Sequence, residues 1–257
     1  MKAPILWAQE VGKNYGRRVG CREVSFTLHS GEILGLVGES GSGKTTLLNV
    51  LAGRLAPSSG RVLYRDKNGA DHDLHLLAEA ERRRLLRTEL GFVHQHSGEG
   101  LRWKVSAGAN IGEPLMAGGL RHYGQVRSEA AAWLERVEVP VDRLDDSPES
   151  YSGGMRQRLQ IARNLVTRPR LVFMDEPTGG LDVSVQAKLL DLIRRLVSRL
   201  NLAVILVTHD LAVARLLSHR LMVMKNGRVV ETGLTDQVLD DPQDSYTQLL
   251  VSSMLQV

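Results

Sequence analysis

The sequence predicts an α/β fold in which helices pack on an open parallel sheet. Short apolar runs recur at residues 33–37, 171–174 and 203–207, and such runs are typical of parallel strands buried on both faces. Small, polar or acidic residues follow each run, which places candidate ligand-binding groups beyond the carboxyl ends of the strands. Stretches with helical spacing alternate with the runs, as βα units require. These helical stretches are 45–51, 128–137, 155–166 and 185–200.

The composition agrees with a folded protein that has one substantial core. The chain has 257 residues, of which 42% are hydrophobic and 24% charged, so intrinsically disordered and fibrous classes are excluded. The 33 basic and 29 acidic residues leave a formal net charge of +4. This balance is too even to indicate nucleic acid, and no nucleic-acid partner is predicted.

Neither the apolar runs nor the cysteine content indicates a membrane or an oxidising compartment. The longest aliphatic run, 202–207, is far shorter than the roughly 20 residues that span a bilayer. Residues 1–6 lack the pattern of a secretory signal. Cys21 has no second cysteine with which to form a disulfide within the chain. We therefore expect a cytoplasmic protein.

One segment departs from the alternation of strands and helices. Residues 97–166 contain no comparable apolar run and are mostly helical in pattern. We therefore predict a single domain, 1–257, in which a helical subdomain is inserted into a core made of residues 1–96 and 167–257.

A glycine-rich segment directly after the first apolar run carries the strongest signal in the chain. It matches the pattern GxxxxGK[ST] and opens a helical stretch, which is the context that a phosphate-binding loop needs. Its backbone N–H groups would face phosphate oxygens, Lys44 would neutralise the β and γ phosphates, and Thr45 would offer its hydroxyl to Mg²⁺. The segment consists of Gly38, Glu39, Ser40, Gly41, Ser42, Gly43, Lys44, Thr45 and Thr46.

A second apolar run supplies two carboxylates for the same site. Residues 171–174 lead directly into Asp175 and Glu176. Asp175 suits a Mg²⁺ ligand, and Glu176 suits a base that orients water. Together with the phosphate-binding loop, the pair predicts a site that binds and hydrolyses a nucleoside triphosphate.

A third segment carries a resemblance to a known family. Residues 151–158 read Tyr-Ser-Gly-Gly-Met-Arg-Gln-Arg, in which Ser152 can cap a helix and the glycines can expose backbone N–H groups to an anion. This segment closely resembles the signature sequence of ATP-binding cassette (ABC) ATPases, with Met155 in place of the usual Gln. The resemblance implies an ABC-type nucleotide-binding domain: a phosphate-loop, RecA-like α/β core with an inserted α-helical subdomain and an N-terminal antiparallel β part.

Further motifs extend the resemblance along the chain. Gln95 matches the Q-loop glutamine of the family, Asp182 lies in a segment that resembles the D-loop, and His209 matches the switch histidine that contacts the γ-phosphate. Tyr15 stands where the family has an aromatic ring that stacks on adenine. The resemblance therefore implies that ATP is the nucleotide.

The resemblance also implies a head-to-tail homodimer with ATP between the two copies. Ser152, Gly153 and Gly154 of one copy would face Lys44 and Glu176 of the other across the nucleotide. ATP would then hold the dimer together, and hydrolysis would release it.

Roles in hydrolysis follow from the same resemblance. Glu176 would position the attacking water, and His209 would stabilise the γ-phosphate. Mg²⁺ held by Thr45, Gln95 and Asp175 would screen the developing charge.

The chain resembles two subfamilies, which imply different processes for the ATPase to drive. Residues 149–158 and 245–250 look like the ATP-binding subunits of peptide and nickel importers. The ATP-binding proteins of bacterial carbon–phosphorus lyase systems are similar over several stretches, and His96 with Gly179 and Gly180 departs from the importer pattern. We therefore favour the lyase system, which degrades phosphonates. The stretches similar to its ATP-binding proteins are 82–89, 93–96, 121–124, 159–167 and 176–187.

The lyase resemblance also implies partners. The dimer would dock on the soluble lyase core, and ATP hydrolysis would be coupled to a conformational change of that core. A second ABC protein of the same system is a further implied partner. A membrane permease is expected only under the importer alternative.

Overall fold

The computed structural model describes residues 3–96 and 98–254, and its strands form two sheets. One sheet is antiparallel and the other is mostly parallel. In chain order the strands are β1 (Pro4–Tyr15), β2 (Arg18–His29), β3 (Ile33–Val37), β4 (Ser59–Arg65), β5 (Asp71–Asp73), β6 (Leu90–Val93), β7 (Leu171–Asp175), β8 (Ala203–Val207), β9 (Arg220–Lys225) and β10 (Arg228–Leu234).

Helices flank these sheets and occupy the interval between β6 and β7. Within the described ranges, no helix is both long enough and apolar enough to cross a membrane. In chain order the α-helices are α1 (Lys44–Leu51), α2 (Glu79–Thr88), α3 (Ala107–Ala117), α4 (Tyr123–Arg136), α5 (Gly153–Leu165), α6 (Val183–Leu200), α7 (Leu211–Leu217), α8 (Thr235–Asp240) and α9 (Ser245–Met254), with 3₁₀ turns at Val141–Arg143 and Pro148–Ser150.

The three predicted parallel strands are neighbours in the larger sheet, whose order is β10-β9-β3-β8-β7-β6. All of its strands are parallel except β10, which pairs antiparallel with β9. Every residue of β3, β7 and β8 is buried, which explains why these strands are apolar apart from Asp175 at the end of β7. Because β3 and β7 flank β8, the segments that follow the three strands emerge side by side at one edge of the sheet.

The edge strand β6 was missing from the prediction. Its four residues, Leu90–Val93, are too few to form a distinct apolar run in the sequence. Pairing with β7, from Leu90 opposite Leu171 to Val93 opposite Met174, defines this strand in the structure.

The smaller sheet agrees with the N-terminal antiparallel part that the resemblance implies. Its strand order is β2-β1-β4-β5. Leu47, Leu48 and Leu51 of α1 belong to one buried cluster with Ile5 of β1 and Ile205 of β8. The helix that follows the phosphate-binding loop is therefore held between the two sheets.

Between β6 and β7 the described residues form helices and no strand, where the sequence predicts a helical subdomain. α4 begins earlier than predicted because His122 caps it, with Nδ1 accepting a hydrogen bond from the Gln125 N–H at 3.2 Å. Trp133 of α4 is fully buried in one cluster with Leu159 and Ile161 of α5. The apolar face of α5 is thereby anchored, and its N-terminal turn remains at the surface.

Candidate active site

Two glycines fix the path of the loop between β3 and α1. Gly38 and Gly43 have φ angles of +141° and +106°, which L side chains rarely adopt. A Cβ atom would lie 2.2 Å from the Met224 carbonyl oxygen at Gly38 and 2.1 Å from the Gly20 carbonyl oxygen at Gly43. The loop therefore packs so closely on β2 and β9 that only glycine fits at these positions.

Lys44 is buried at the first turn of α1, and its ammonium group points back into the loop. Its Nζ donates hydrogen bonds to the carbonyl oxygens of Gly38 and Glu39, at 2.7 and 2.8 Å. Burial lowers the pKa of the Lys44 amine, and the negative charges of Glu176, Asp175 and Glu39 oppose this shift. The loop thus concentrates positive charge where backbone N–H groups and a helix N-terminus converge, which is what a phosphate group requires.

Oxygen ligands suited to a small divalent cation lie beside the lysine. The Thr45 hydroxyl donates to Asp175 Oδ1 at 3.3 Å. Burial raises the pKa of the Asp175 carboxyl, and the charge of Glu176 adds to the increase, whereas the Thr45 hydrogen bond and Lys44 lower it. The raised pKa shows that burial disfavours the charged form of Asp175, and a bound cation would stabilise that form. The Thr45 hydroxyl and the Asp175 carboxylate therefore fit Mg²⁺.

Ser42 is a further unpaired group in the loop. Its hydroxyl oxygen is buried and has no hydrogen-bond partner among the described residues. Buried polar atoms are almost always hydrogen-bonded in folded proteins. The loop therefore contains one unsatisfied polar atom, close to Gly38.

Glu176 contacts two residues that are distant from it along the chain. Gln95 Nε2 donates to Glu176 Oε2 at 3.0 Å, and His209 Nδ1 lies 3.0 Å from Glu176 Oε1. Glu176 is 19% exposed, whereas His209 is 66% exposed. The Q-loop, the end of β7 and the segment after β8 therefore meet at one carboxylate.

These groups surround an open cavity of about 730 Å³, large enough for a nucleotide. Tyr15 lies at one end of it and is 48% exposed, so its ring face is available for stacking on a base. Arg18, Val19 and Gly20 also line this end, although sequence reasoning did not select them. The complete lining is Tyr15, Arg18, Val19, Gly20, Ser40, Gly41, Gly43, Lys44, Thr45, Thr46, Gln95, Glu176 and His209.

Seven predicted nucleotide-binding residues do not line this cavity: Gly38, Glu39 and Ser42 of the loop, and Ser152, Gly153, Gly154 and Asp182. Ser152 caps α5 by accepting from the Met155 N–H at 3.3 Å, and the adjoining Gly153 is exposed. Gly154 is half-buried, and Asp182 is exposed before α6 and makes no side-chain capping hydrogen bond. Within one chain, the signature and D-loop segments are therefore not part of the cavity that contains Lys44.

Sequence reasoning missed two residues that support the site. Tyr246 accepts a hydrogen bond from the loop N–H of Glu39, and Gln160 of α5 holds the Q-loop backbone. No local signal marks Tyr246. Gln160 had one, because it is a polar residue on the apolar face of a helix.

Comparisons with known proteins agree with this arrangement. A family described as ABC transporter matches residues 21–179. The chain is 62% identical to the phosphonates utilization ATP-binding protein PhnK of Escherichia coli K12 over 256 residues, covering 100% of both chains. It is 34% identical to the dipeptide transport ATP-binding protein DppF of the same strain, covering 98% of this chain and 77% of the relative.

A solved structure gives the same result for the fold. The dimeric, post-hydrolysis form of the ATP-binding cassette MJ0796, bound to ADP and phosphate, superposes with a TM-score of 0.79 at 28% sequence identity. The similarity covers 90% of this chain and 99% of the other.

Proposed function

Because the chain belongs to the ABC family of ATPases, we propose that it hydrolyses ATP in this cavity to drive phosphonate utilisation. Hydrolysis in the cavity is supported by the convergence of Lys44, Asp175 and Glu176 beyond the ends of β3 and β7. Phosphonate utilisation is supported above all by 62% identity over the full chain to the E. coli protein of that name.

The loop from Gly38 to Thr46 binds the phosphates in this proposal. Lys44 has three N–H donors, so it donates one to a phosphate oxygen while the other two stay on the carbonyls of Gly38 and Glu39. Tyr15 stacks on the base at the other end of the cavity.

Thr45, Asp175 and Gln95 are the residues that would hold Mg²⁺. Thr45 and Asp175 are already in contact, and Gln95 lines the same cavity as Thr45 and donates to Glu176, the residue after Asp175. When bound, Mg²⁺ supplies positive charge that stabilises the phosphate oxygens during transfer.

Glu176 positions the attacking water and accepts its proton. Both of its carboxylate oxygens are engaged, one by Gln95 and the other by His209. Water can replace the His209 contact on one oxygen while Gln95 stays bound to the other. His209, which is largely exposed, then becomes free to donate to the γ-phosphate.

A head-to-tail dimer completes each site. Ser152, Gly153 and Gly154 form the N-terminal turn of α5, where unpaired N–H groups and the helix dipole attract an anion. A second copy can present this turn to the γ-phosphate over Lys44, with Asp182 beside it. The dimeric structures of a similar cassette support this assembly.

The dimer docks on the soluble core of the carbon–phosphorus lyase, and its opening and closing changes the conformation of that core. A second ABC protein of the same system joins the complex, and the assembly works in the cytoplasm. The departures at His96 and Gly179–Gly180 from the importer pattern support this assignment over peptide or nickel import.

The test uses the Glu176→Gln variant with ATP and Mg²⁺. Gln keeps the shape of the carboxylate but is not a base, so the ATP-bound dimer should persist. Mass photometry then measures binding to the purified soluble lyase core and, separately, to a detergent-solubilised importer permease. We expect ATP-dependent binding to the lyase core. Binding to the permease alone would contradict this assignment and indicate that the chain serves nutrient import.

The control adds Lys44→Ala to the Glu176→Gln variant. Without the ammonium group, ATP should no longer support dimer formation or docking. Docking that persists in the double variant would contradict the proposed nucleotide site.

A further inference from the structure

We propose that Tyr246, on the C-terminal helix α9, is a positioning residue for the phosphate-binding lysine. Tyr246 lies 207 residues from the loop that it contacts. The inference rests on the proposed nucleotide site, because Tyr246 acts only through the peptide that holds Lys44.

A single peptide group connects the two side chains. The N–H of Glu39 donates to the Tyr246 hydroxyl oxygen at 3.0 Å. The carbonyl oxygen of the same peptide group, that of Gly38, accepts from Lys44 Nζ at 2.7 Å. Tyr246 and Lys44 therefore hold opposite ends of one amide plane.

Tyr246 is itself rigidly held. It is 4% exposed and belongs to a buried cluster with Val37 of β3 and Val223 of β9. Lys225 places its ammonium group 4.5 Å from the centre of the ring. The backbone N–H of Tyr246 donates to Asp244 Oδ1 at 2.8 Å. The hydroxyl is thus a fixed point against which the loop is oriented.

The loop needs such a fixed point. Gly38 has a φ angle of +141°, and glycine restricts its own backbone less than any other residue does. Without the tyrosine hydroxyl, the Gly38–Glu39 peptide could rotate and carry the carbonyl away from Lys44. Holding the peptide in advance lowers the conformational cost of binding the phosphates.

The first experiment replaces Tyr246 by phenylalanine. Tyr246→Phe keeps the buried ring and removes one hydrogen bond. Since this interaction is present in both the ground state and the transition state, we expect the KM for ATP to rise about two- to tenfold, with kcat within about twofold of wild type. The Kd of a fluorescent ATP analogue should rise by the same factor, and the amide hydrogen of Glu39 should exchange faster.

Tyr64→Phe is the matched control. Tyr64 is also buried, and its hydroxyl donates to Glu89 Oε2 at 3.0 Å, a hydrogen bond that does not involve the loop of residues 38–46. We expect this variant to lose thermal stability without a change in the KM for ATP. A KM that is unchanged or lower in Tyr246→Phe, or raised equally in both variants, would overturn the inference.

Lys44→Ala separates failure of this inference from failure of the proposed site. If Lys44→Ala abolishes ATP binding and Tyr246→Phe leaves it unchanged, only the role of Tyr246 is wrong. If Lys44→Ala still binds ATP with wild-type affinity, the proposed site is wrong and the positioning role is overturned with it.

Discussion

At the scale of single residues, Glu176 combines its proposed chemistry with an unusual backbone conformation. Its φ angle of +44° lies in the left-handed region, which costs roughly 1–2 kcal/mol for a residue with a side chain. Its N–H donates to the Val207 carbonyl at 2.9 Å, and its own carbonyl accepts from the Gly179 N–H at 2.9 Å. These bonds hold the turn after β7, so that the carboxylate faces Gln95 and His209.

Glu176→Gln should lower ATP turnover by about 10²- to 10⁴-fold, because the variant lacks the base but keeps the backbone and side-chain shape. ATP affinity should be retained, since Lys44 and the loop are unchanged. Steady-state ATPase assays and ATP-analogue titration measure the two quantities.

Glu23→Gln is the control for this substitution. Glu23 also has a positive φ, +57°, but it lies on β2 and pairs with Arg228 at 3.1 Å. It should keep wild-type turnover. An equal loss of turnover in both variants would show that the effect is not specific to the carboxylate of Glu176.

At the scale of elements, α5 links the signature segment to the Q-loop within one chain. Gln160, which is fully buried, accepts from the His94 N–H at 2.5 Å and donates to the carbonyls of His96 and Glu99 at 3.2 and 3.0 Å. Gln157 donates to the His94 carbonyl at 3.4 Å. A shift of α5 would therefore pull on the backbone on both sides of Gln95.

A charged cluster ties α5 to α6 from the other side. Glu138, which follows α4, accepts from Arg158 of α5 at 2.6 Å and also pairs with Arg195 of α6. The Arg158 hydrogen bond is the main cause that holds the pKa of the Glu138 carboxyl below its ordinary value of 4.5. A carboxylate whose pKa is lower in the folded state stabilises the fold at a pH above its ordinary pKa. That contribution is lost as the pH falls through the lower, folded-state pKa.

Glu138→Gln should therefore lower the free energy of unfolding at pH 7, by less than about 1 kcal/mol because Glu138 is 45% exposed and water screens the pairs. The deficit should shrink as the pH falls below 4.5. Urea denaturation of both proteins at pH 7 and at pH 4 measures the difference. A deficit that stays constant with pH would show that the carboxylate charge is not its source.

At the scale of the whole molecule, the positions of the cavity and of the signature turn favour the proposed dimer. Lys44 and Glu176 line the cavity, whereas Ser152 and Asp182 do not. A two-fold axis that brings the signature turn of one copy to the cavity of the other would create two equivalent sites.

Mixing two inactive variants tests this geometry. Lys44→Ala lacks the phosphate ligand, and Ser152→Glu places negative charge where the partner's γ-phosphate would lie. Each should be inactive alone, but half of the dimers in an equimolar mixture are mixed and have one intact site, so up to about a quarter of wild-type turnover should return.

The control mixture combines Lys44→Ala with Asp175→Asn. Both changes damage the same half of a site, so every site in the mixed dimer remains defective and no activity should return. Equal recovery in the two mixtures, or none in the first at any ratio, would contradict the head-to-tail arrangement.

Short-range patterns were sufficient to predict the main strands and the chemistry that follows them. The phosphate-binding loop after β3 and the carboxylates at the end of β7 are contiguous in sequence, and parallel strands necessarily bring their carboxyl ends to one edge. The family resemblance added Gln95 and His209, which the structure places at Glu176. The sequence by itself therefore determined the fold class and most of the residues that line the cavity.

Only the tertiary structure decided which distant residues support that site. β6 is recognisable only through its pairing with β7, and the roles of Gln160 and Tyr246 depend on contacts between residues 66 and 207 positions apart. The sequence marks Gln160 as a polar residue on an apolar helix face but does not show what Gln160 or Tyr246 contacts, because packing in three dimensions, rather than the local backbone, brings the groups within hydrogen-bonding distance. For the same reason, the sequence did not indicate the left-handed conformation of Glu176, which depends on its hydrogen bonds to Val207 of β8 and to Gly179.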